Sequence, residues 1–297
     1  MDVSNPDKIM FPEDGTTKAR LVEYYETVAP LMLPWVSGRP LTLERYPDGT
    51  AKKGFFQKNA SKHFPASIQR IPVPKSDGTV THPVIDAADD LAYLANQGTV
   101  TFHVWTSKVP DLDHPDHLVM DLDPSDEDPG KIRAVAEATR TVMERFGLAP
   151  VLVASGSRGF HLWAAIQPDH DFAAAARAAW CLAALVAAGI PGIATTEFLK
   201  RERGTRVFVD WLRNRWAQSI ACPYSVRSRP APTLAVPLRW VELGSAIPSG
   251  WHIDTIADRM ADPPPLPVRT RLDVDAVVAA AEDAGIDSDR HHDRFRG

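Results

Sequence analysis

Two aspartates, Asp121 and Asp123, stand one residue apart in an apolar stretch that runs from Leu118 to Pro124. The β-prone composition of the stretch and its closing proline predict a short strand. Because side chains alternate between the two faces of a strand, both carboxylates should leave the same face as neighbours. Like charges that close need a compensating cation, and paired carboxylates with open coordination positions suit magnesium or manganese. The spacing therefore predicts a site for a divalent metal ion.

A third acid, Asp210, lies in a similar setting, in the short apolar stretch from Arg206 to Trp211. This stretch is also typical of a strand. Three acids on two strands would form a cradle for a metal-dependent phosphoryl transfer. We therefore expect Asp121, Asp123 and Asp210 to be both the metal ligands and the catalytic residues.

Serines, glycines and basic residues form a second informative motif, Ser155-Gly156-Ser157-Arg158-Gly159-Phe160-His161. Two glycines in a tight connection let backbone amides approach a ligand, and hydroxyl and guanidinium groups donate to phosphate oxygens. Taken alone, the motif is no more specific than an ordinary hairpin turn. Its spacing differs from the G-x-S-x-G turn of serine hydrolases, which excludes that class.

Length and composition limit the classes to which the protein can belong. The chain has 297 residues, of which 44% are hydrophobic, so it can bury a sizeable core in one large domain or two small ones. Two cysteines cannot form a disulfide framework or a zinc knuckle. No apolar run looks long enough to span a membrane, and the N-terminus lacks the layout of a signal peptide. The simplest location is the cytoplasm, in association with the nucleoid.

A net charge of −5 argues against a protein that coats nucleic acid with its whole surface, but it permits a local basic groove. Positive charge does cluster along the chain, and each cluster is either solvated surface or part of a binding site. The clustered residues are Lys52, Lys53, Lys58, Lys200, Arg201, Arg203, Arg206, Arg213, Arg215, Arg227 and Arg229.

Hydrophobic periodicity predicts helices that alternate with strands and hairpins. The expected helices cover about 129–146, 171–188 and 271–286, with two more beginning near Thr17 and residue 85. The fold class is therefore α/β (α+β), with a mixed, largely antiparallel central sheet flanked by helices. The proline run at 263–265 marks a stiff break. We expect a catalytic domain over residues 1–260, followed by a proline-rich break and a C-terminal helical tail over 261–297.

Two further stretches match the patterns of a ligase motif and of a metal site, but their surroundings favour loops. Lys75-Ser76-Asp77-Gly78 matches the K-x-D-G pattern of nucleotidyl-transferring ligases, but residues 73–81 are better interpreted as a surface loop. The histidine- and aspartate-rich stretch 111–117 could be taken for a second metal site. Its proline and polar content favour a connecting loop, with His114 and His117 exposed.

The order of motifs resembles the polymerase domain of bacterial ligase D, within the archaeo-eukaryotic primase superfamily, over about residues 3–245. No single motif is specific, but the set in this order is. Besides the acid strands and the 155–161 motif, the matching stretches are 5–12, 15–18, Arg45-Tyr46-Pro47-Asp48-Gly49, Phe55-Phe56-Gln57-Lys58 and Pro223-Tyr224-Ser225-Val226-Arg227. Glu44 stands where the family often carries a basic or neutral residue.

The resemblance implies an archaeo-eukaryotic primase-like fold and a role for each matching residue. The three acids would bind two divalent cations, preferably manganese or else magnesium, that hold the triphosphate of an NTP or dNTP substrate and activate the primer 3′-hydroxyl. The implied nucleotide-binding residues are Ser155, Ser157, Arg158, His161 and Arg227.

The resemblance also implies contacts with DNA. Lys8 and Lys18 match the family's pocket for the 5′-phosphate on the far side of a gap, and His103 matches a residue near the primer. Phe55 and Phe56 match the aromatic pair that stacks on template bases. Core packing of one of these two phenylalanines remains an open alternative, because adjacent residues in a strand face opposite ways.

The implied activity is that of a template-directed repair polymerase that acts at gaps or double-strand breaks carrying a 5′-phosphate. Its partners would be the DNA, a separate ligase and a Ku-like end-binding protein, with no membrane. Non-homologous end joining is the expected pathway, and gap filling in excision repair with a separate ligase is the alternative. A metal-dependent sugar transferase and a non-catalytic DNA end-binding module are the rivals from other classes. Since no ligase or nuclease sequence follows, we expect a stand-alone module or one cut from a longer protein.

Overall fold

The computed structural model describes residues 2–290. The chain begins with a short hairpin of β1 (Ile9–Phe11) and β2 (Thr16–Thr17), followed by helix α1 (Lys18–Val36). The helix begins near Thr17, as predicted, and Thr17 caps it, because its Oγ1 accepts a hydrogen bond from the backbone N–H of Arg20 at 3.3 Å.

The remaining elements follow in chain order. They are β3 (Leu41–Arg45), β4 (Phe55–Gln57), β5 (Gln69–Lys75), β6 (Gly78–Val84), α2 (Ala88–Asn96), β7 (Thr99–Val104), β8 (His117–Asp123), α3 (Pro129–Arg145), β9 (Val151–Ala154), β10 (Phe160–Ala165), α4 (Phe172–Gly189), β11 (Ala194–Thr195), α5 (Lys200–Arg203), β12 (Val207–Asp210), β13 (Ile220–Ala221), β14 (Val236–Leu238), α6 (Ala257–Ala261) and α7 (Val274–Asp283). Short 3₁₀ turns occur at Leu212–Asn214 and Trp240–Glu242.

Two sheets form the centre of the fold. The larger has six strands in the order β11-β12-β8-β10-β9-β14, and all neighbours are antiparallel except β11 and β12. The smaller is antiparallel, in the order β13-β7-β3-β4. Helices α3 and α4 pack on the larger sheet, and α2 packs on the smaller one. The mixed, largely antiparallel sheet flanked by helices is confirmed.

Three local expectations are wrong. The predicted surface loop over 73–81 is mostly a two-stranded ribbon of β5 and β6, whose pairing continues to Lys75 opposite Gly78. Gly78 has a φ of +143°, a backbone conformation that permits this tight turn. His117 is buried rather than exposed, because it begins β8 and its Nδ1 lies 3.0 Å from the guanidinium of Arg39. His114 is partly exposed, as predicted.

The third correction concerns α4. Among residues 2–290, this one helix is long and apolar enough to cross a membrane by length and composition, so the expectation that no apolar run is long enough is wrong. Of its 18 residues, Phe172–Gly189, 61% are buried. Because the helix packs against α3, α7 and the larger sheet, its place in the core accounts for its apolar composition.

The C-terminal segment returns to the body of the fold. Helix α7 packs on α4 and buries Val277 and Ala281 in the core cluster, which also includes Leu272 just before the helix. Trp180 Nε1 donates to the backbone oxygen of Asp287 at 2.9 Å. The division into 1–260 and 261–297 stays a prediction, and residues 291–297 of the expected tail lie outside the described residues.

Candidate active site

The three predicted acids lie together on one face of the larger sheet. Asp121 of β8 is paired across the strands with Asp210 of β12, and Asp123 follows two residues later. Ligand oxygens from all three lie within 4.8 Å of one another. The alternate residues of β8 are apolar and fully buried on the other face, beneath α3 and α4. The strand alternation thus turns the acidic residues away from the core and towards one another.

Arg213 is the cation nearest to this cluster. Its Nη2 lies 3.2 Å from Asp210 Oδ2, and its Nε lies 3.4 Å from Asp121 Oδ2. The other oxygen of Asp210 accepts the backbone N–H of Leu212 at 2.8 Å, in the turn that follows β12. The guanidinium therefore partly neutralises two of the three carboxylates.

The pKa values of all three acids are raised. Burial raises the pKa of Asp210 to about 7, although Arg213 opposes the shift, and the charge of Asp121 adds to it. Burial also raises the pKa of Asp121 against Arg213, and burial with the charge of Asp121 raises that of Asp123. The metal-free cluster therefore retains a proton near neutral pH, which a bound divalent cation would displace.

His161 of β10 lies directly opposite Asp121, on the other side of β8 from Asp210. Its Nε2 is 3.5 Å from Asp121 Oδ1. Burial and the charge of Arg227 lower the pKa of His161 to about 3, so the imidazole is neutral. Among the described residues its buried Nδ1 has no hydrogen-bond partner, so a ligand could occupy that position.

The connection from β9 to β10 is held close to the acids by its glycines. A Cβ on Gly159 would lie 1.8 Å from a backbone oxygen of β8, so only glycine fits there. Gly156 has a φ of +66°, and a Cβ there would lie 2.6 Å from Arg227 Cγ. The backbone N–H groups of Ser157 and Gly159 donate to Ser155 Oγ at 3.2 and 3.3 Å. The loop is a compact turn built on Ser155.

The other predicted phosphate ligands surround this loop. Arg227 Nη1 donates to the backbone oxygen of Ser155 at 2.8 Å, and burial lowers the pKa of this half-buried arginine. Ser157 Oγ accepts a hydrogen bond from Arg229. Arg158 is exposed and lines a cavity of about 250 Å³ beside the start of α3. His161 and Arg227 thus lie near the acids, and Arg227 is bonded to Ser155, whereas the cavity lined by Arg158 includes none of the three acids.

The smaller sheet presents a second polar face. Burial and the charge of Arg227 lower the pKa of His103, which also feels the charge of Arg213, so this histidine of β7 lies near the acid site. Glu44 of β3 accepts hydrogen bonds from Ser228 Oγ at 2.7 Å and from Tyr46 OH at 2.8 Å.

The second carboxylate oxygen of Glu44 lies 3.8 Å from His103 Nε2. Burial opposes ionisation of Glu44, but the polar groups of His103, Ser228 and Tyr46 outweigh it and lower the pKa to about 2. Glu44 is therefore an ionised, internally bonded carboxylate that joins the smaller sheet to the segment carrying Arg227.

The aromatic pair lies on the outermost strand of the smaller sheet. Phe55 is 47% exposed and Phe56 is 61% exposed, so the alternative that one of them packs in the core is wrong. Phe56 is paired with Glu44 across the strands, and its ring lies 5.6 Å from that of His103. The guanidinium of Arg45 lies 5.6 Å from the ring of Phe55. Two adjacent aromatic rings are thus open to solvent beside the site.

Lys8 and Lys18 form a separate group near the N-terminus. The backbone N–H of Lys18 donates to the oxygen of Lys8 at 2.8 Å. Lys18 Nζ donates to Ser4 at 2.7 Å, and Lys8 Nζ donates to the oxygen of Pro47 at 3.0 Å. Burial and the nearby charge of Lys8 lower the pKa of Lys18. The structure therefore brings the two lysines together, with Lys18 buried against Ser4.

Sequence reasoning missed two cations as site residues. Arg213 and Arg203 appeared only as members of charge clusters, yet Arg203 stacks on the ring of Phe208 at 4.0 Å and feels the charges of Asp123 and Asp210. The spacing of three residues from Asp210 to Arg213 was the available signal. This spacing brings the arginine back to the acid only if a helical turn follows Asp210, as the turn Leu212–Asn214 does.

Comparisons with known proteins agree with this geometry. The family described as LigD, primase-polymerase domain, matches residues 17–264. The multifunctional non-homologous end joining protein LigD of Mycolicibacterium smegmatis is 32% identical over 93% of this chain and 36% of its own length. The Mycobacterium tuberculosis relative of similar name is 35% identical over 93% of this chain and 37% of its own length. The chain thus spans little more than a third of these relatives.

Among solved structures, the polymerase domain from Mycobacterium tuberculosis ligase D in complex with DNA has a TM-score of 0.84 and 33% identity. The match covers 89% of this chain and 95% of that domain. The smaller and larger sheets therefore form an archaeo-eukaryotic primase-like fold. The chain belongs to the LigD primase-polymerase domain family, a family of nucleotidyltransferases.

Proposed function

We propose that this chain is a template-directed DNA repair polymerase that adds ribo- or deoxynucleotides to a primer 3′ end at gaps or double-strand breaks carrying a 5′-phosphate. Non-homologous end joining is the proposed pathway, because the relatives carry that process in their names. The observation that carries the proposal is the meeting of three carboxylates with phosphate donors on one face, beside two exposed aromatic rings.

The acid cluster fits two divalent cations, manganese or magnesium. Asp121, Asp123 and Asp210 offer only oxygen ligands, which these hard cations prefer. Burial raises their pKa values, and neighbouring carboxylates add to the shift for Asp123 and Asp210, so a bound cation would stabilise the ionised forms. When bound, the cations would activate the primer hydroxyl and neutralise the phosphates.

The chain's own groups bind and orient the triphosphate. Neutral His161 donates one N–H, while Arg227 and the loop at Ser155 offer further donors to phosphate oxygens. The primer 3′-oxygen attacks the α-phosphorus in line, the bond to the leaving pyrophosphate breaks, and the hydroxyl proton passes to solvent. Arg213 lies close enough to the acids to stabilise charge that develops on the transferred phosphoryl group. Positioning and charge neutralisation account for the catalysis.

DNA contacts extend from this centre. Phe55 and Phe56 support stacking on template bases, which any base permits. Lys8 and Lys18 support capture of the 5′-phosphate across a gap. His103, which feels the charge of Arg213 beside the acids, would contact the primer. A separate ligase and a Ku-like end-binding protein would complete the repair, in the cytoplasm at the nucleoid. Gap filling in excision repair would use the same DNA substrate.

The test is extension of a labelled primer on a gapped duplex, with and without a 5′-phosphate, by wild type and Asp123→Ala. Ribo- and deoxynucleotides are compared in manganese and in magnesium. We expect templated addition that requires the acid and improves with the phosphate. Binding to the gapped duplex without addition under any condition would identify an end-binding module, and turnover of a sugar nucleotide without a template would identify a sugar transferase.

A further inference from the structure

The edge of the larger sheet beside the acids is completed by a side chain. Strand β12 ends at Asp210, which is paired with Asp121, while β8 extends further back along the chain. Two residues before Asp121, the backbone of Val119 has no partner in β12. The side chain of Asn214 supplies the hydrogen bonds that a strand residue would otherwise make there. Its Oδ1 accepts the backbone N–H of Val119 at 2.7 Å, and its Nδ2 donates to the backbone oxygen of Val119 at 2.6 Å.

This amide is fully engaged and buried. Asn214 is 1% exposed, and its Nδ2 also donates to the backbone oxygen of Trp211 at 2.8 Å. Both backbone groups of Val119 are thereby satisfied where no strand residue reaches them. The same side chain closes the 3₁₀ turn Leu212–Asn214 onto β8. Asn214 therefore fixes the turn relative to the strand that carries the acids.

The residue adjacent to this anchor is Arg213. Its guanidinium spans Asp121 and Asp210 at 3.2–3.4 Å, a geometry that depends on where the turn places its backbone. The turn is fixed on one side by Leu212, whose N–H donates to Asp210, and on the other by Asn214. Loss of the second anchor would leave the arginine attached to a turn that is free to lift from β8.

We propose that Asn214 is a positioning residue for nucleotide transfer: by hydrogen-bonding both backbone groups of Val119, it places the guanidinium of Arg213 across the acid pair. Asn214 makes its hydrogen bonds to Val119 and Trp211 and not to the acids, so it acts through Arg213. The inference rests on the proposed function, since it gives Arg213 a role in transfer. It differs from a purely structural role because its effect should vanish when Arg213 is already absent.

A double-mutant cycle tests this dependence. Wild type, Asn214→Ala, Arg213→Ala and the double variant are compared by melting temperature, by Mn²⁺ affinity in electron paramagnetic resonance titrations, and by single-turnover transfer. Removal of a cation beside the acids should tighten Mn²⁺ binding about tenfold in the absence of nucleotide. A displaced guanidinium should slow transfer about 100-fold. We expect both effects in each single variant, with no further change in the double variant.

Trp240→Phe is the control, because it removes one part-buried hydrogen bond, from Trp240 Nε1 to the backbone oxygen of Pro150 beside β9 rather than β8. It should lower the melting temperature without changing Mn²⁺ affinity. Asn214→Ser, a milder truncation, enters the same cycle if Asn214→Ala fails to fold. The proposal would be overturned if Asn214→Ala slowed transfer and changed Mn²⁺ affinity by the same factors in the presence and in the absence of Arg213. If wild type transfers no nucleotide, the proposed function fails, while the Mn²⁺ cycle still decides whether Asn214 positions Arg213.

Discussion

Replacement of Asp210 by asparagine should make the metal-free protein more stable while abolishing nucleotide transfer. The side chain of Asp210 is 5% exposed, and burial raises its pKa from 3.8 to about 7. The unfolded chain ionises this group near pH 3.8, whereas the folded chain keeps it protonated to about pH 7. The favourable contribution of Asp210 is therefore fully present below pH 3.8 and is lost as the pH rises to 7.

The size of the effect follows from this shift. A difference of about 3 pKa units corresponds to about 4 kcal/mol when fully expressed. Because Asp121 and Arg213 share the electrostatic environment, we expect about half of it, ~2 kcal/mol, at pH 8. For a protein of this size, that raises the melting temperature of Asp210→Asn by about 3 °C. Asparagine retains an oxygen that can accept the N–H of Leu212, so the fold is preserved.

The assay is thermal unfolding of wild type and variant from pH 4 to pH 8, with chelator and with Mn²⁺. The advantage of the variant should grow between pH 4 and 7 and level off above pH 7. Saturating Mn²⁺ should reverse the order, because it binds the wild-type cluster and stabilises that fold. A variant that is no more stable than wild type at pH 8, or an advantage independent of pH, would refute the reasoning.

Asp116→Asn is a matched control with the opposite sign. Asp116 is also buried, but the hydrogen bond from His117 and the charge of Arg39 outweigh burial and hold its pKa well below its usual range. Its stabilising contribution is present above pH 3.8 and is lost as the pH falls through the lower folded-state pKa. Asp116→Asn should therefore destabilise the protein at pH 7, and this loss should shrink in strong acid.

Three further substitutions test the loop and the DNA contacts. Gly159→Ala should destabilise the fold by about 3 kcal/mol or more in denaturant titrations, because the added Cβ would lie 1.8 Å from the backbone oxygen of Leu122. Gly189→Ala is the control and should leave the stability unchanged, because a Cβ there would meet nothing within 4 Å. Phe56→Ala should weaken binding of a single-stranded template overhang by about 1–3 kcal/mol in fluorescence anisotropy, and unchanged affinity would contradict stacking. Lys18→Met should abolish the preference for a 5′-phosphorylated gap in primer extension, and retention of that preference would place the phosphate elsewhere.

The acid strands could be predicted because alternation is a local property. Asp121 and Asp123 must share a face in any strand, and apolar neighbours select which face is buried. The position of Asp210 opposite Asp121 depends on strand pairing, which the sequence does not specify. The sequence suggested that these acids lie close together only because all three could bind the same metal ions. The same limit applies to Glu44, whose bond to Ser228 joins residues 184 positions apart.

The errors arise where tertiary contacts override local patterns. Polar composition predicted an exposed His117, but a buried arginine, Arg39, partners it. Phe55 and Phe56 are both exposed because β4 is a three-residue strand at the edge of its sheet. The turn after Asp210 gave no apolar periodicity, so the sequence placed Arg213 in a charge cluster. The roles implied for the site residues remain predictions.

The most direct test of the central claim is the number of Mn²⁺ ions bound with a non-hydrolysable nucleotide, counted by electron paramagnetic resonance. We expect about two ions per wild-type chain and a loss of this binding in Asp121→Asn/Asp123→Asn. Asp14, His252 and Asp254 form a second group that could hold an ion, so Asp14→Asn serves as the comparison. Binding that survives loss of Asp121 and Asp123 but disappears with Asp14→Asn would contradict the account.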